Sequence, residues 1–346
     1  MRLSPVQLNR FWPWLLGAGL ALLIFSVLVS LVFGASVITL KQLGLWALGQ
    51  GDAQTQLIIG SLRLPRALLA AVVGALLGIC GAASQGLFRN PLADPSLIGV
   101  TAGASAGASL VIVCLNFSYW GLWGLSVISL GAFAGATLVV LCVYRLATGA
   151  QGTSVATMLL AGVAFSYLAG SLTGVLEFVA DNQRLRQMSL WRMGGLDGAN
   201  AVTVSLIAAV CVMVTALLYA QHRALNALLL GESEARYLGI AVDSVKRRVV
   251  ICIAAGVGVS VALAGSIAFV GLVVPHMVRA FVGPNHRYLL PMSACFGAVL
   301  LVVADLFART LIAPTELPVG LLTACLGAPV FILLLYRHQK MRSLSC

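Results

Sequence analysis

Charge is scarce in this sequence of 346 residues, in which 9% of the positions are charged, 60% are apolar and the mean hydropathy is +1.03. In an ordinary globular chain about a quarter of the residues are charged. A water-soluble fold of this length cannot bury so much apolar surface. The composition therefore excludes a soluble protein and predicts a chain whose solvent is lipid.

The motifs of common enzymes are missing as well. Lysine occurs only at Lys41, Lys246 and Lys340, never after a glycine, so no phosphate-binding P-loop exists. No HExxH or GxSxG pattern occurs, and no two histidines have metal-ligand spacing. The eight cysteines form no CxxC pair, which predicts packed core thiols. We expect no enzyme activity, no metal site and no cofactor bound by this chain.

The net charge of +11 does not indicate nucleic-acid binding, because no basic patch is interleaved with exposed aromatics. It is typical of a membrane topology signal and of contact with anionic lipid.

Long apolar runs fill most of the chain, and a membrane crossing needs roughly 20 apolar residues. The expected spans are 11–35, 64–83, 97–115, 120–144, 155–177, 199–220, 249–270, 271–283 (the shortest), 288–312 and 317–336. Backbone groups in lipid must be satisfied within their own segment, so each span is a helix. The fold class is therefore an all-α polytopic membrane protein, with residues 1–346 as one transmembrane domain.

Orientation follows from the basic residues between the spans. With the N-terminus inside, the inner loops and tails hold 14 Lys and Arg residues and the outer ones hold 7. Positive charge favours the cytoplasmic side, so both termini are expected there. The first apolar run is too long for a signal-peptide core and is expected to be a retained span.

The longest charged and helix-compatible stretch is residues 222–248, which we name the platform. Apolar residues recur within it at helical spacing, and Gly231 and Gly239 interrupt the pattern. The platform is too small for a catalytic domain. It is either a cytoplasmic docking surface for a soluble partner or an ordinary connecting loop.

A second unusual stretch is residues 63–109, where prolines and small residues indicate a broken, short helix. Irregular backbone at membrane depth is tolerated only inside protein or along a water-filled path. We therefore expect this stretch to form a wall of a transport pathway. The candidate wall residues are Ser84, Gln85, Asn90 and Pro91.

A weak internal echo at an offset of 184 residues points to an inverted repeat, a common transporter architecture. The matching pairs are Ala70 with Ala254, Ala71 with Ala255, Val73 with Val257, Gly74 with Gly258, Gly81 with Gly265 and Pro91 with Pro275.

Ionisable residues at membrane depth are costly and usually functional. Asp305 is the one acid expected within a span, and Arg309, four residues later, is its expected partner. Arg63, Arg66 and Arg309 fall at outer span ends, which an acidic external partner would explain. A proton-coupled transporter would more often carry an unpaired central acid.

Several ordered motifs between residues 60 and 336 resemble the membrane subunits of FecCD-type ABC importers. The motifs are RLPR (63–66), RNPLADPSLIGVTAGA (89–104), LLAGVA (159–164), LGESEARYLGI (230–240), GSIAFVGLVVPHMVR (265–279), HRYLLP (286–291) and ELPVGLLTACLGAPVFILLL (316–335). Members of this family carry iron–siderophore chelates, haem or vitamin B12 across the bacterial inner membrane.

The resemblance implies a homodimer with the pathway between its subunits, and it implies partners on both sides. Two separate ATPase subunits, which bind ATP and Mg²⁺, would dock on the platform. The implied coupling residues are Leu228, Leu229, Gly231, Glu232, Ala235, Leu238 and Gly239. A periplasmic binding protein would dock through glutamates on Arg63, Arg66 and Arg309.

The resemblance also implies an inner gate at the entry to the fifth span, formed by Gly152, Thr153, Ser154, Val155, Ala156 and Thr157. The vitamin B12 permease carries a Thr-Ser pair where Val155 and Ala156 align, which argues against vitamin B12. Haem is the favoured substrate, followed by ferric siderophores and then vitamin B12. Met188, Met193, Tyr167 and His276 are candidate haem contacts. An ion-driven secondary transporter and a non-transporting scaffold remain as competing classes.

Overall fold

The structure, a computed structural model, describes residues 5–34, 36, 38–115, 124–150 and 152–343. The first residues of the predicted inner tail, the start of the fourth predicted span and Cys346 lie outside these ranges. The helices are α1 (Pro5–Val32), α2 (Leu40–Ala47), α3 (Ala53–Thr55), α4 (Leu64–Leu87), α5 (Val100–Cys114), α6 (Gly124–Ala147), α7 (Val155–Val179), α8 (Asn182–Met193), α9 (Ala201–Ala220), α10 (His222–Leu228), α11 (Glu232–Tyr237), α12 (Val242–Ala264), α13 (Val270–Val282), α14 (His286–Thr310) and α15 (Val319–Ser343).

Seven helical runs in these ranges are long and apolar enough to cross a membrane, and three shorter apolar helices, in α5, α13 and α15, bring the number to ten. Each of the ten predicted spans has its helix. The protein is thus an all-α polytopic membrane protein with ten transmembrane helices.

Three helix starts lie well before the predicted starts. Helix α1 begins at Pro5, whereas its span is expected to begin at residue 11. The second span begins at Ala53, because α3 and a π-helical turn over Gln56–Arg63 run without a break into α4. Helix α12 begins at Val242, seven residues before the expected start at 249. The charged sequence there is typical of a loop, but the charges are satisfied within the fold, as described below.

The outer polar segments also contain helices that hydropathy does not reveal. Helix α2 begins at a capping box formed by Thr39 and Gln42, and Asp181 caps α8 by accepting the N–H of Arg184. A two-stranded antiparallel hairpin, β1 (Thr148–Gly149) with β2 (Gly152–Thr153), joins α6 to α7. We name residues 148–153 the gate hairpin.

Helix α4 lies at the centre of the fold, with almost its whole length buried. Its most extensive neighbour is α14, and glycines bring the two backbones together. A Cβ at Gly74 would collide with the carbonyl of Gly297, and one at Gly78 with the carbonyl of Ser293. Small residues permit this close approach, which supplies packing in lipid where no hydrophobic drive exists. Helices α5 and α6 approach in the same way at Gly107 and Gly131.

The inverted repeat is visible in the order of the elements. A long helix, a short one and two long ones occur twice, as α4 to α7 and as α12 to α15. Each short helix follows a residue in the left-handed region, Gly99 with φ +81° and Phe269 with φ +67°. The residue-by-residue echo at an offset of 184 does not follow this order, since Pro91 precedes α5 whereas Pro275 lies inside α13.

The described cysteines are all free thiols, as predicted, but not all are packed in the core. Cys80, Cys252 and Cys295 are buried, whereas Cys114 and Cys325 are exposed on the protein surface.

Candidate functional site

The platform folds as two short helices and the first turns of α12, with α10 ending before Gly231 and α11 ending before Gly239. Leu228 and Ala235 are buried and hold the platform against the helix bundle. Apolar residues at helical spacing fall on one side of each helix, and this spacing predicts that the apolar side packs against the bundle.

The opposite side of the platform is also apolar and is exposed. It consists of Leu229, Leu230, Tyr237 (91% exposed) and Leu238 (64% exposed). A cluster of exposed apolar residues at the polar end of a membrane protein marks an interaction surface. Sequence reasoning identified Leu229 and Leu238 and missed Leu230 and Tyr237. Leu230 and Tyr237 continue the apolar pattern, but the neighbouring sequence does not show which apolar residues are exposed.

Asn226 of α10 ties the platform to the membrane helices. Its side-chain oxygen accepts the backbone N–H of His286 at 2.8 Å and lies 2.9 Å from His286 Nδ1. Its amide nitrogen donates to Asn285 Oδ1 at 2.8 Å. His286 begins α14 and is fully buried against Gly86 of α4. Asn226 therefore joins α10 to the start of α14.

The predicted gate residues lie at the same end of the molecule as the platform. Gly152 and Thr153 form strand β2, and Ser154 caps α7 by accepting the N–H of Thr157 at 3.3 Å. Thr153 is buried, whereas Ser154, Ala156 and Thr157 are exposed and Val155 is half-buried. The entry to α7 thus presents small and polar side chains on the surface of this chain.

The three outer arginines lie together at the opposite end, around a cavity of about 410 Å³. We name Arg63, Arg66 and Arg309 the outer arginine cluster. The sequence predicts their grouping correctly at span ends. It does not predict that their guanidinium groups bond mainly within the chain.

Asp305 is fully buried and is shared by two arginines. Arg66 Nε donates to its Oδ1 at 2.9 Å, and Arg309 Nε donates to its Oδ2 at 3.0 Å. The predicted pairing of Asp305 with Arg309 is therefore confirmed, and Arg66 is an additional partner. Arg309 also donates to Ser30 Oγ at 2.7 Å, which ties α14 to α1.

The remaining contacts of the outer arginine cluster are internal too. Arg63 is 5% exposed and donates to the carbonyls of Leu31, Val32 and Ser36. Arg66 Nη1 contacts Glu316 Oε2 at 2.6 Å and Asp197 Oδ1 at 3.1 Å.

The cluster therefore sets three arginines against three acids, Asp197, Asp305 and Glu316. Asp197 and Glu316 are the exposed members, with side chains 78% and 44% exposed. The surface offered to an external protein is consequently closer to neutral than the arginines alone predict. Arg186 on α8 and Lys41 on α2 are exposed outer cations that sequence reasoning did not single out.

The predicted pathway wall divides into two parts. Ser84 and Gln85 are buried inside the protomer, where Gln85 Nε2 donates to the carbonyl of Leu272 on α13 at 3.2 Å. They do not line an open face, because α13 covers that side of α4. Asn90 is exposed and Pro91 half-exposed in the turn after α4, so the wall prediction now depends on these two.

The two helix breaks flank a cavity of about 300 Å³, whose lining includes Asp94, Ser96 and Phe269. Asp94 caps a 3₁₀ turn over Pro95–Ile98 by accepting the N–H of Ser96 at 2.8 Å. Burial raises the pKa of the Asp94 carboxyl, and the bonds from Ser96 partly oppose this. The breaks thus place polar groups beside the central helix.

Among the four candidate haem contacts, Met188 is buried and Tyr167 and Met193 are exposed. His276 lies half-buried on α13. No cluster of metal-ligating side chains occurs within the described residues. Tyr167 and Met193 line two different cavities.

The chain has ten membrane helices with an inverted repeat, an exposed apolar surface at one end and an ionic cluster at the other. These features define the transmembrane subunit of a transporter. The sequence comparisons identify which one. Residues 22–337 match the FecCD transport family, and the chain belongs to this family.

Individual relatives are similar over most of their length. The chain is 44% identical over 330 residues to the hemin transport system permease protein HmuU of Yersinia pestis, covering 95% of this chain and 97% of that protein. It is 40% identical over 323 residues to the vitamin B12 import system permease protein BtuC of Serratia proteamaculans, covering 93% and 94%.

A solved structure has the same fold. It is an inward-facing conformation of an ABC transporter assigned to the metal-chelate type, with a TM-score of 0.84 and 31% identity, covering 94% of this chain and 99% of that chain.

Proposed function

We propose that this ABC importer permease subunit carries haem across a bacterial inner membrane. The observation that supports haem is the 44% identity to a hemin permease over nearly the full length of both proteins. Permease names recur among the relatives, so the chemistry of ATP hydrolysis belongs to a separate subunit. This chain then supplies the path and binds neither ATP nor a cofactor itself.

Vitamin B12 is the second candidate, because vitamin B12 permeases are also similar over most of the chain. A cobalamin permease of Halobacterium salinarum is 44% identical over 84% of this chain and 76% of that protein. Val155 and Ala156 stand where a Thr-Ser pair is expected in a vitamin B12 permease, which favours haem. Ferric siderophores are the third candidate.

The platform is the proposed docking surface for the ATPase. Its exposed apolar side, which includes Tyr237 and Leu238, suits a soluble partner that buries it. Its buried side and Asn226 attach it to the transmembrane helices. ATP binding would close two ATPase subunits, move α10 and α11, and change which side of the membrane the pathway faces.

The remaining assembly follows from the same proposal. Two copies of this chain, each one permease domain, enclose the pathway, with the exposed start of α7 at the inner gate. The platform and both termini lie in the cytoplasm, as the excess of inner basic residues indicates. A periplasmic binding protein docks on the opposite end and supplies selectivity, and the membrane helices contact lipid.

An ion-driven transporter is disfavoured by the state of Asp305. Its two oxygens are held by Arg66 and Arg309, so the carboxylate is not poised to exchange protons.

The test is uptake by the purified permease in liposomes, together with its ATPase and its binding protein. Haem-loaded binding protein is expected to stimulate ATP hydrolysis and to deliver haem into the vesicle. Stimulation by cobalamin or by a ferric siderophore complex, with none by haem, would keep the importer and replace the substrate. Uptake driven by a proton gradient without the ATPase would overturn the proposal.

A further inference from the structure

One buried lysine joins the platform to the gate hairpin. Lys246 lies in the first turns of α12 and is 1% exposed. Its Nζ donates to Glu232 Oε2 of α11 at 2.7 Å and to the backbone carbonyl of Thr153 in strand β2 at 2.6 Å. Strand β2, which lies 93 positions earlier in the sequence, therefore meets the neighbouring helices α11 and α12 at a single ammonium group.

Lysine is almost never fully buried unless it is paired, because removing an ammonium from water is costly. Here the cost is offset by two short bonds, one of them to a carboxylate. The partner Glu232 is not buried to the same degree, since 30% of its side chain is exposed. Lys246 is thus held in a buried position, whereas its partner Glu232 is partly exposed on the short helix α11.

Asp243 makes a second connection one turn earlier in α12. Its Oδ1 accepts the N–H of Thr153 at 3.0 Å, and its Oδ2 contacts Arg236 Nη2 of α11 at 3.3 Å. The Arg236–Asp243 pair is about half exposed, so salt screens it and its contribution is small. The backbone N–H and C=O of Thr153 are consequently both bonded to side chains of α12. Of the two ion pairs that join α12 to α11, the one made by Lys246 is the more buried and the stronger.

Next to Thr153, the gate hairpin has a glycine where the Asp243 carboxylate packs against it. Gly152 has φ +98°, and a Cβ there would collide with the carboxylate of Asp243. The close seating of the hairpin on α12 therefore depends on this residue being glycine.

We propose that Lys246 is the positioning residue that transmits movement of α11 to the gate hairpin, through the Glu232–Lys246–Thr153 connection. This inference rests on the proposed function, because it assigns α11 to ATPase docking and residues 152–157 to the inner gate. A displacement of α11 pulls on Glu232, and Lys246 carries the displacement to the carbonyl of Thr153. The gate hairpin then moves with the platform instead of relaxing independently.

The test measures hydrogen exchange in the permease–ATPase complex, with and without a non-hydrolysable ATP analogue. In the native complex the analogue is expected to change the exchange rate of the amides of residues 152–157 by about fivefold or more, since coupling between sites typically corresponds to 1–3 kcal/mol. The readout does not require knowledge of the transported chelate. Failure of haem uptake would therefore leave this inference standing.

Two variants break the connection at different points. Lys246→Met removes both bonds, and Glu232→Met removes only the bond to α11 while the contact of Lys246 with Thr153 stays. Lys246→Met is the milder change for stability, because it leaves only the partly solvated Glu232 without its partner, whereas Glu232→Met leaves the buried Lys246 without a carboxylate. Arg247→Met is the matched control, since it removes a basic charge at the next, exposed position of α12.

With saturating ATPase, both variants are expected to lose the nucleotide response at residues 152–157, and the control is expected to keep it. The double variant is expected to behave like either single variant, because Glu232 and Lys246 belong to the same series of contacts and are not independent. A native-like response in Glu232→Met, or no response in the native complex, would overturn the proposal.

Discussion

The two ends of this permease use charge in opposite ways. At the outer end, Arg66 and Arg309 converge on the fully buried Asp305. The bond from Arg66 joins α4 to α14, whereas Arg309 pairs with Asp305 within α14 and reaches α1 through Ser30. At the inner end, Lys246 is buried but its partner Glu232 is partly exposed on a helix of six residues. The outer network joins long helices of the bundle, whereas the inner one joins a helix of six residues to it.

The difference shows at which end of the protein a conformational change costs less free energy. Breaking a buried ion pair at the outer end leaves charge stranded among packed helices, so that end resists rearrangement. A partly hydrated carboxylate can shift with its helix and keep its bond. Pairs of basic and acidic residues thus hold the membrane helices together at one end. At the other end, in our proposal, they transmit movement of α11 to the gate hairpin.

The largest expected effect comes from breaking the outer network with Asp305→Asn. The change leaves Arg66 and Arg309 without their shared charge, at a cost of about 3–5 kcal/mol. The thermal unfolding midpoint of the detergent-purified protein measures this loss. Asp197→Asn is the control, because Asp197 is an exposed partner of Arg66 and its loss should shift the midpoint little. Equal midpoints for Asp305→Asn and the native protein would show that the outer network is not ionic.

The second effect concerns the inner end, through Gly152→Ala. The left-handed backbone and the contact with Asp243 make the substitution cost about 1–3 kcal/mol locally, and substrate uptake by the liposome-reconstituted complex is expected to fall. Gly149→Ala in the paired strand is the control, since a Cβ at Gly149 meets open space. If both variants transport equally, the seating of the hairpin on α12 does not matter for function.

A third effect tests the apolar surface of the platform. Tyr237→Ala removes its most exposed aromatic residue and is expected to weaken ATPase binding about tenfold, because buried aromatics carry much interface energy. Titration of the purified ATPase against the reconstituted permease measures it. Leu138→Ala, an exposed apolar change on a membrane span, provides the comparison. Unchanged ATPase affinity in Tyr237→Ala would place the docking surface elsewhere.

The smallest effect is expected for docking at the outer end. Arg66→Gln should weaken binding of the binding protein only a few-fold at low salt, because Arg66 already contacts Asp197 and Glu316. The comparison is Arg186→Gln on α8, where the charge is exposed. A larger, salt-dependent loss in Arg186→Gln would move the docking surface to α8.

Much of the architecture could be predicted from the sequence, because apolar runs of span length have few alternatives in lipid. The platform was also predictable, since glycines and helical spacing are local signals. The early start of α12 was not. Its Lys246 is typical of a loop until Glu232 and Thr153 are known to surround it.

The roles of the outer arginines were the least predictable feature. Their position at span ends is a local property, whereas their contacts are not. Arg66 meets Asp305 across 239 positions of sequence, and Arg63 meets carbonyls more than 25 positions away. Such pairings depend on how helices pack, which hydropathy and spacing do not encode. The helices α2 and α8 were missed because they lie outside the apolar runs.

The contact of Gly74 with Gly297 has almost no side chain to remove, and this determines how the seam between α4 and α14 can fail. Truncating substitutions, the usual probe of a packed core, have nothing to act on there. The attraction between the two backbones comes from short-range dispersion and weak Cα–H···O contacts, and a gap of about 1 Å already loses up to about half of the dispersion energy. A single added methyl group at Gly74 or Gly297 then forces the two helices apart. We expect substitutions that enlarge a side chain at this seam to be tolerated far less well than substitutions that shorten one.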